Sequence, residues 1–150
     1  MRPGGYLQSP FGRDPLKYLL SIGLRFSTGS FELTITIYGI RNCDTVRKAR
    51  SWLEAHEVDY YFHDYKTTGI ERNRLEYWCN ELGWEALLNR AGTTFRKLPD
   101  SDKQALDAHK ATTLMLAHPS LIKRPVMDLG GRLLVGFKPE LYESAICATP

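Results

Sequence analysis

Residues 34–50 read Thr34-Ile35-Thr36-Ile37-Tyr38-Gly39-Ile40-Arg41-Asn42-Cys43-Asp44-Thr45-Val46-Arg47-Lys48-Ala49-Arg50. The alternating β-branched residues of Thr34–Ile40 predict a strand. Arg41–Thr45 predicts a turn rich in helix N-cap residues. A helix follows, with Val46, Ala49 and Leu53 on one stripe and Trp52 beside it, ending near His56. The run Val58–Tyr65 alternates again and predicts a second strand. Strand, helix, strand with short connections is a βαβ unit, so the two strands are expected to be parallel with a right-handed crossover.

Beyond this unit the pattern changes. From about Glu71 to Ala117 the chain is helical in character. Leu75, Trp78, Cys79 and Leu82 share one helix face, and Gly83 ends that helix. Trp84–Asn89 is a second short piece, Pro99-Asp100-Ser101-Asp102 caps another, and Asp107 caps a helix carrying Ala111, Leu114 and Met115. Pro119 stops that run. Two apolar runs, Pro125–Leu129 and Arg132–Phe137, flank Gly130-Gly131 and predict a β-hairpin. Pro139 opens a last helix. The order βαβ, helices, ββ, α matches an α/β fold, a thioredoxin-like mixed four-stranded sheet with a helical insertion after the second strand. No internal repeat is visible.

Residues 1–32 differ from the rest. They hold Gly4-Gly5, Pro3, Pro10, Pro15 and a Ser-Thr-Gly-Ser group at 27–30, with four basic residues against two acidic ones. Residues 15–24 predict a short helix. The segment lacks a clear cleavage site after a sustained apolar core, so it reads as a flexible extension rather than a targeting peptide. Residues 33–150 form the expected domain.

The remaining composition bounds the function. With 43% hydrophobic and 25% charged residues in 150, the chain has enough apolar material for one packed domain. A formal net charge of +3 is too small to argue for nucleic acid. The 3 cysteines, Cys43, Cys79 and Cys147, are odd in number and widely spread, which fits free thiols in the cytoplasm better than a secreted disulfide framework. No apolar run approaches the ~20 residues of a membrane span. The histidines His56, His63, His109 and His118 show no ligand spacing with the cysteines, so no metal and no bound cofactor are expected.

Cys43 is the residue on which chemistry centres. It stands where a strand hands over to a helix, where free N–H groups and the positive end of the helix dipole favour a thiolate. Arg47, one turn on, adds positive charge if it folds back toward the sulfur. From position alone, an activated nucleophile and an ordinary buried thiol fit equally well. Position 46 is Val, which excludes a Cys-x-x-Cys dithiol cycle, and position 49 is Ala, which excludes a Cys-(x)5-Arg phosphate loop. Arg124-Pro125 precedes a strand; a cis bond fits there, although locally a trans proline and a solvated arginine are the plainer reading. Cys79 lies on an apolar stripe and reads as a core thiol. Cys147 reads as an incidental exposed one.

Four ordered motifs carry a resemblance. Tyr38-Gly39-Ile40-x-Asn42-Cys43-Asp44-Thr45-Val46-Arg47-Lys48-Ala49-Arg50 resembles the signature of the ArsC/Spx (arsenate-reductase-like) family, in its YffB-type branch. So do the run from Gly83-Trp84 through Asn89-Arg90 to Lys97-Leu98, the segment His118-Pro119-x-Leu121-Ile122-Lys123-Arg124-Pro125, and Gly130-Gly131-x-Leu133-Leu134-Val135-Gly136-Phe137. The likeness spans about Thr34 to Ala145. It implies a catalytic Cys43 at the end of the first strand, a cis proline at Pro125 beside it, and Arg124 as one of several oxyanion-holding arginines. A second family arginine falls on Asn89, with Arg90 next to it. A third falls in the Val135–Phe137 region, which has no arginine here. Asn and Gly cannot supply charge-assisted, bidentate bonds to a tetrahedral anion, which counts against arsenate as the substrate.

The resemblance therefore implies an oxidoreductase, a single-cysteine thiol reductase dependent on glutathione or glutaredoxin, acting as a monomer. The Cys43 thiolate attacks arsenic(V) or a disulfide sulfur. Arg124 stabilises the developing charge with Arg47 or Arg90 assisting, and Asn42, Asn89 and Pro125 line the binding site. Glutathione serves as co-substrate, because the motif has no second cysteine. Two rivals remain: an Spx-like adaptor that binds RNA polymerase without turnover, and a glutathione-binding module without turnover.

Overall fold

The computed structural model describes residues 34–147; the N-terminal segment and its expected short helix lie outside them. The elements are β1 (Ile35–Gly39), α1 (Asp44–Ala55), β2 (Tyr60–Asp64), α2 (Tyr65–Thr68), α3 (Arg72–Leu82), α4 (Trp84–Leu87), α5 (Thr93–Arg96), α6 (Asp100–Lys103), α7 (Ala108–Ala117), a 3-10 turn (Pro119–Leu121), β3 (Val126–Asp128), β4 (Leu133–Val135) and α8 (Pro139–Cys147). The sheet order is β2-β1-β3-β4. β1 pairs parallel with β2, while β3 runs antiparallel to both β1 and β4. This is the mixed, thioredoxin-like sheet with a helical insertion expected from the element order.

Every residue of β1 is buried, because both faces of the sheet are covered. On one face Ile35 and Ile37 pack with Ala49 and Leu53 of α1, Met127 of β3, and Tyr142 and Ala145 of α8. On the other, Tyr38 and Val126 pack with Leu75 and Trp78 of α3, Leu87, Met115, Leu121 and Ile122. The two-residue period of the strand separates these sets. Fully buried Leu and Trp side chains each contribute about 1.5–3 kcal/mol or more of burial free energy, so the insertion is part of the core rather than an appendage. An ion pair from Arg74 of α3 to Asp128 of β3, at 3.4 Å, ties insertion to sheet.

Several elements are shorter than the sequence pattern suggests. The second strand stops at Asp64, because its carboxylate accepts the Lys66 N–H at 3.1 Å and starts a helical turn that carries Tyr65 into the core. The piece after Gly83 is helical only to Leu87, since Leu88 bridges to Ile122 instead. The hairpin strands have 3 residues each. The Asp128 carboxylate accepts the N–H groups of Gly130 and Gly131 at 3.0 and 3.1 Å and closes the turn early. Both glycines have positive φ, at 76° and 124°, which a side chain would disfavour.

Gly39 sets the distance between β1 and α1. A Cβ there would stand 2.8 Å from Val46 Cγ2, and Val46 is fully buried. Gly39→Ala should therefore cost about 1–3 kcal/mol through overpacking. In urea titrations, the double variant with Val46→Ala should be less destabilised than the sum of its singles, because the second change opens the space the first one fills.

Candidate functional site

The register of the sheet gathers four segments at one of its ends. Gly39, the last residue of β1, pairs with Asp64, the last of β2, so the chain leaves toward Cys43 and toward Tyr65 at the same end. Tyr38 pairs with Val126, the first residue of the antiparallel β3, so Arg124 and Pro125 enter there. Val126 also pairs with Val135, the last residue of β4, and the Gly136 N–H donates to the Pro125 carbonyl at 2.8 Å, which brings Phe137 to the same end.

Cys43 is the N-cap residue of α1, with extended backbone angles (φ −136°, ψ 125°), and it is half-buried. Partial burial pushes its thiol pKa up. The opposing effects are larger together: the Val46 N–H, the hydrogen-bonding and charge of the Arg124 guanidinium, and the Thr45 N–H all favour the thiolate, and the net shift is downward. The physical cause is the one expected at a helix start, strengthened by a cation from a distant segment.

Arg124 is half-buried and precedes a cis Arg124–Pro125 peptide bond. One terminal nitrogen donates to the Ser120 carbonyl at 3.1 Å, which anchors the side chain to the 3-10 turn. Its Nε–H is buried with no hydrogen-bond partner among the described residues. That leaves donor capacity on a cation beside the sulfur, a setting suited to a developing anion. Tyr65, fully buried, joins this group: its hydroxyl lies 3.4 Å from the Ile122 carbonyl and interacts with Arg124 and Cys43. Burial first, and the Cys43 charge with it, raises the phenol pKa against the pull of Arg124, so Tyr65 stays neutral. Tyr65 was legible only as the end of a strand; its contact with Arg124 depends on residues about sixty positions away.

The other expected site residues are placed differently. Arg47 does not reach back to the sulfur; it pairs with Asp44 on the exposed face of α1. An i,i+3 partner on the same helix is always within reach, and it takes the guanidinium first. Arg90 is exposed and lies over the Trp84 ring at 5.2 Å, held on the insertion by a cation–π contact. Neither arginine is among the groups that lower the Cys43 pKa. Asn89 is half-buried. Its N–H donates to the Leu121 carbonyl at 2.7 Å and the Lys123 N–H donates to the Leu87 carbonyl at 2.7 Å, so residues 87–89 run antiparallel beside the segment that leads into Arg124. Asn42 is exposed in the bend before Cys43.

The remaining cysteines differ chemically. Cys79 is half-buried with Sγ 3.5 Å from Thr112 Oγ1, and burial pushes its thiol up, against a smaller lowering from that hydroxyl. Cys147 is exposed at the end of α8. Among the described residues no group of three His, Cys, Asp or Glu side chains is placed to hold a metal ion, and no helix is long and apolar enough to cross a membrane.

Alkylation by iodoacetamide against pH should show Cys43 reacting with a midpoint below that of an ordinary thiol (~8.5) and Cys79 above it. Arg124→Gln should raise the Cys43 midpoint. Because the folded thiol is more acidic than the unfolded one, its charge contributes stability that is complete above ~8.5 and fades as pH falls through the folded value. Chemical denaturation of wild type against Cys43→Ser across that range measures this difference.

Comparison with known proteins places these features. The ArsC family profile matches residues 38–145. An uncharacterized protein of Haemophilus influenzae is 40% identical over 111 residues, 74% of this chain and 97% of that protein. The global transcriptional regulator Spx of Streptococcus pyogenes is 32% identical over 108 residues, 71% of this chain and 80% of that protein. Among solved structures, the YFFB (PA3664) protein is 61% identical with a TM-score of 0.73, covering 75% of this chain and 98% of its own. An arsenate reductase (ArsC) related protein from Brucella melitensis is 53% identical with a TM-score of 0.64, covering 79% and 98%. The chain belongs to the ArsC family, and its fold is that of the family's arsenate-reductase-like thiol oxidoreductases.

Proposed function

We propose that the protein is a single-cysteine thiol reductase that takes its electrons from glutathione or glutaredoxin. The observation that carries this reading is a half-buried sulfur whose acidity is raised by helix N–H groups and by Arg124. The Cys43 thiolate attacks the glutathione sulfur of a mixed disulfide R–S–S–G, forming Cys43–S–S–G and releasing R–S⁻, whose charge Arg124 stabilises. A second glutathione thiolate attacks that adduct, releases the Cys43 thiolate and leaves oxidised glutathione. The net change is R–S–S–G plus glutathione to R–SH plus oxidised glutathione, two electrons passing from two thiols to one disulfide. A glutaredoxin thiol substitutes for glutathione in the second exchange.

This cycle needs no bound cofactor and no second cysteine in the motif, in keeping with Val46 three residues after Cys43. A cytoplasmic setting suits it, since the glutathione pool there keeps thiols reduced. Arsenate is the weaker candidate substrate. Of the three arginine positions that the family resemblance implies, Arg124 alone faces the sulfur; Asn89 and the Val135–Phe137 segment bring no guanidinium.

A second reading, a transcription regulator without turnover, is favoured by the 32% identity to Spx proteins. Val46 counts against a dithiol switch of the Cys-x-x-Cys kind. Retention of RNA polymerase subunits on the immobilised protein, with no reductase activity, would support it.

Cys43→Ser should abolish reduction of a glutathionylated peptide. Arg124→Gln should lower kcat/KM about tenfold or more, the scale of one lost hydrogen bond to a charged group (~1.5–3 kcal/mol). Mass spectrometry after exposure to oxidised glutathione should find one glutathione on Cys43. Unchanged turnover in Cys43→Ser would overturn the proposal; arsenate assayed in parallel should show the slower reaction.

A further inference from the structure

An open groove of about 620 Å³, within the size range of ligand pockets, is lined by residues of α1 from Asp44 to Trp52 and by Phe137 and Pro139. One wall is the stripe of α1 that carries Arg47, Lys48 and Trp52; the other is Phe137, after β4, and Pro139, the first residue of α8. Asp44, the residue after Cys43, also lines the groove, and on the helix face it stands one and two turns before Lys48 and Trp52. The groove therefore begins one residue after Cys43 in the chain and follows the helix that Cys43 caps.

Its chemistry has two parts. Trp52 and Phe137 are half-buried, and each meets the buried Tyr142 ring edge-on, with centroids 5.8 and 4.9 Å apart, so the aromatic walls are braced from behind. Lys48 is exposed and has no opposite charge within ion-pair distance among the described residues, whereas Arg47 beside it is already paired with Asp44. Charge complementarity thus asks for a carboxylate opposite Lys48, and the walls ask for an apolar side chain. Glutathione offers carboxylates but no apolar side chain; a polypeptide offers both.

We propose that this groove docks the polypeptide bearing the oxidised cysteine, with an apolar side chain between Trp52 and Phe137 and an acidic residue on Lys48. This role rests on the thiol-reductase reading and adds a substrate class to it: protein cysteines glutathionylated in an acidic, apolar sequence context. The disulfide exchange itself is the one balanced above.

The test uses two synthetic peptides, each with one cysteine glutathionylated, one flanked by Phe and Glu and the other by Ser and Lys. The first should be reduced with a kcat/KM about tenfold higher, the scale of one charge-assisted contact, and Lys48→Glu should remove or reverse the preference. Lys48 is exposed and forms no ion pair among the described residues, so this variant should fold as the wild type does. Calorimetry with the same peptides carrying S-methylcysteine reads binding without chemistry and should show the same order. Equal turnover of both peptides, unaffected by Lys48→Glu, would overturn the groove while leaving the reductase intact. Lys48-dependent binding of the inert acidic peptide with no reduction of either disulfide would keep the groove and overturn the reductase. Competition by S-methylglutathione for the groove that is stronger than by the acidic peptide would assign it to glutathione and overturn the peptide role.

Discussion

The register of β1 against its two neighbours is the constraint on which the rest depends. β1 is parallel to β2 and antiparallel to β3, so the ends of β1, β2 and β4 and the start of β3 coincide at one edge. A one-residue slip would turn Ile35 and Ile37 from the α1–α8 side to the insertion side and expose the wrong set to each helix layer. The same slip would separate Cys43 from Arg124. Core packing on both faces of β1 therefore holds the geometry of the site.

Within that frame, two segments supply the charge at Cys43. α1 contributes N–H groups from Thr45 and Val46, delivered close to the strand by the absence of a side chain at Gly39. The turn before β3 contributes Arg124, anchored on Ser120. Together they outweigh the cost of partly burying the sulfur. Tyr65 packs beneath them as a neutral phenol, and its position follows from the early end of β2. The cluster has one cation, where a tetrahedral oxyanion would call for several; the proposed disulfide substrate needs charge stabilisation at a single leaving sulfur.

The relatives frame the same contrast. The chain is similar both to proteins named as transcription regulators and to structures named as arsenate-reductase-related. A shared fold does not decide between these activities. Two local features of this chain bear on the choice: Val46 leaves the motif with one cysteine, and Phe137, an aromatic wall of the groove, stands in the stretch where the resemblance implied an arginine.

The element order, the helical insertion, the hairpin and the single motif cysteine were determined by the sequence itself. They rest on short-range periods and turn residues: alternation through Thr34–Ile40, the stripe of Val46, Ala49 and Leu53, and Gly130-Gly131 between apolar runs. Arg124, Pro125 and Asn89 could be singled out only through the family resemblance, because locally a solvated arginine before a trans proline was the plainer reading. Only the tertiary structure decided that Arg124 faces the sulfur, that Arg47 and Arg90 are taken by Asp44 and Trp84, and that Tyr65 and Phe137 stand at the same edge. Those outcomes are contests between partners brought together by strand register. A side chain with two partners within reach takes the one that costs less ordering and desolvation, and the local sequence holds only one of the competitors.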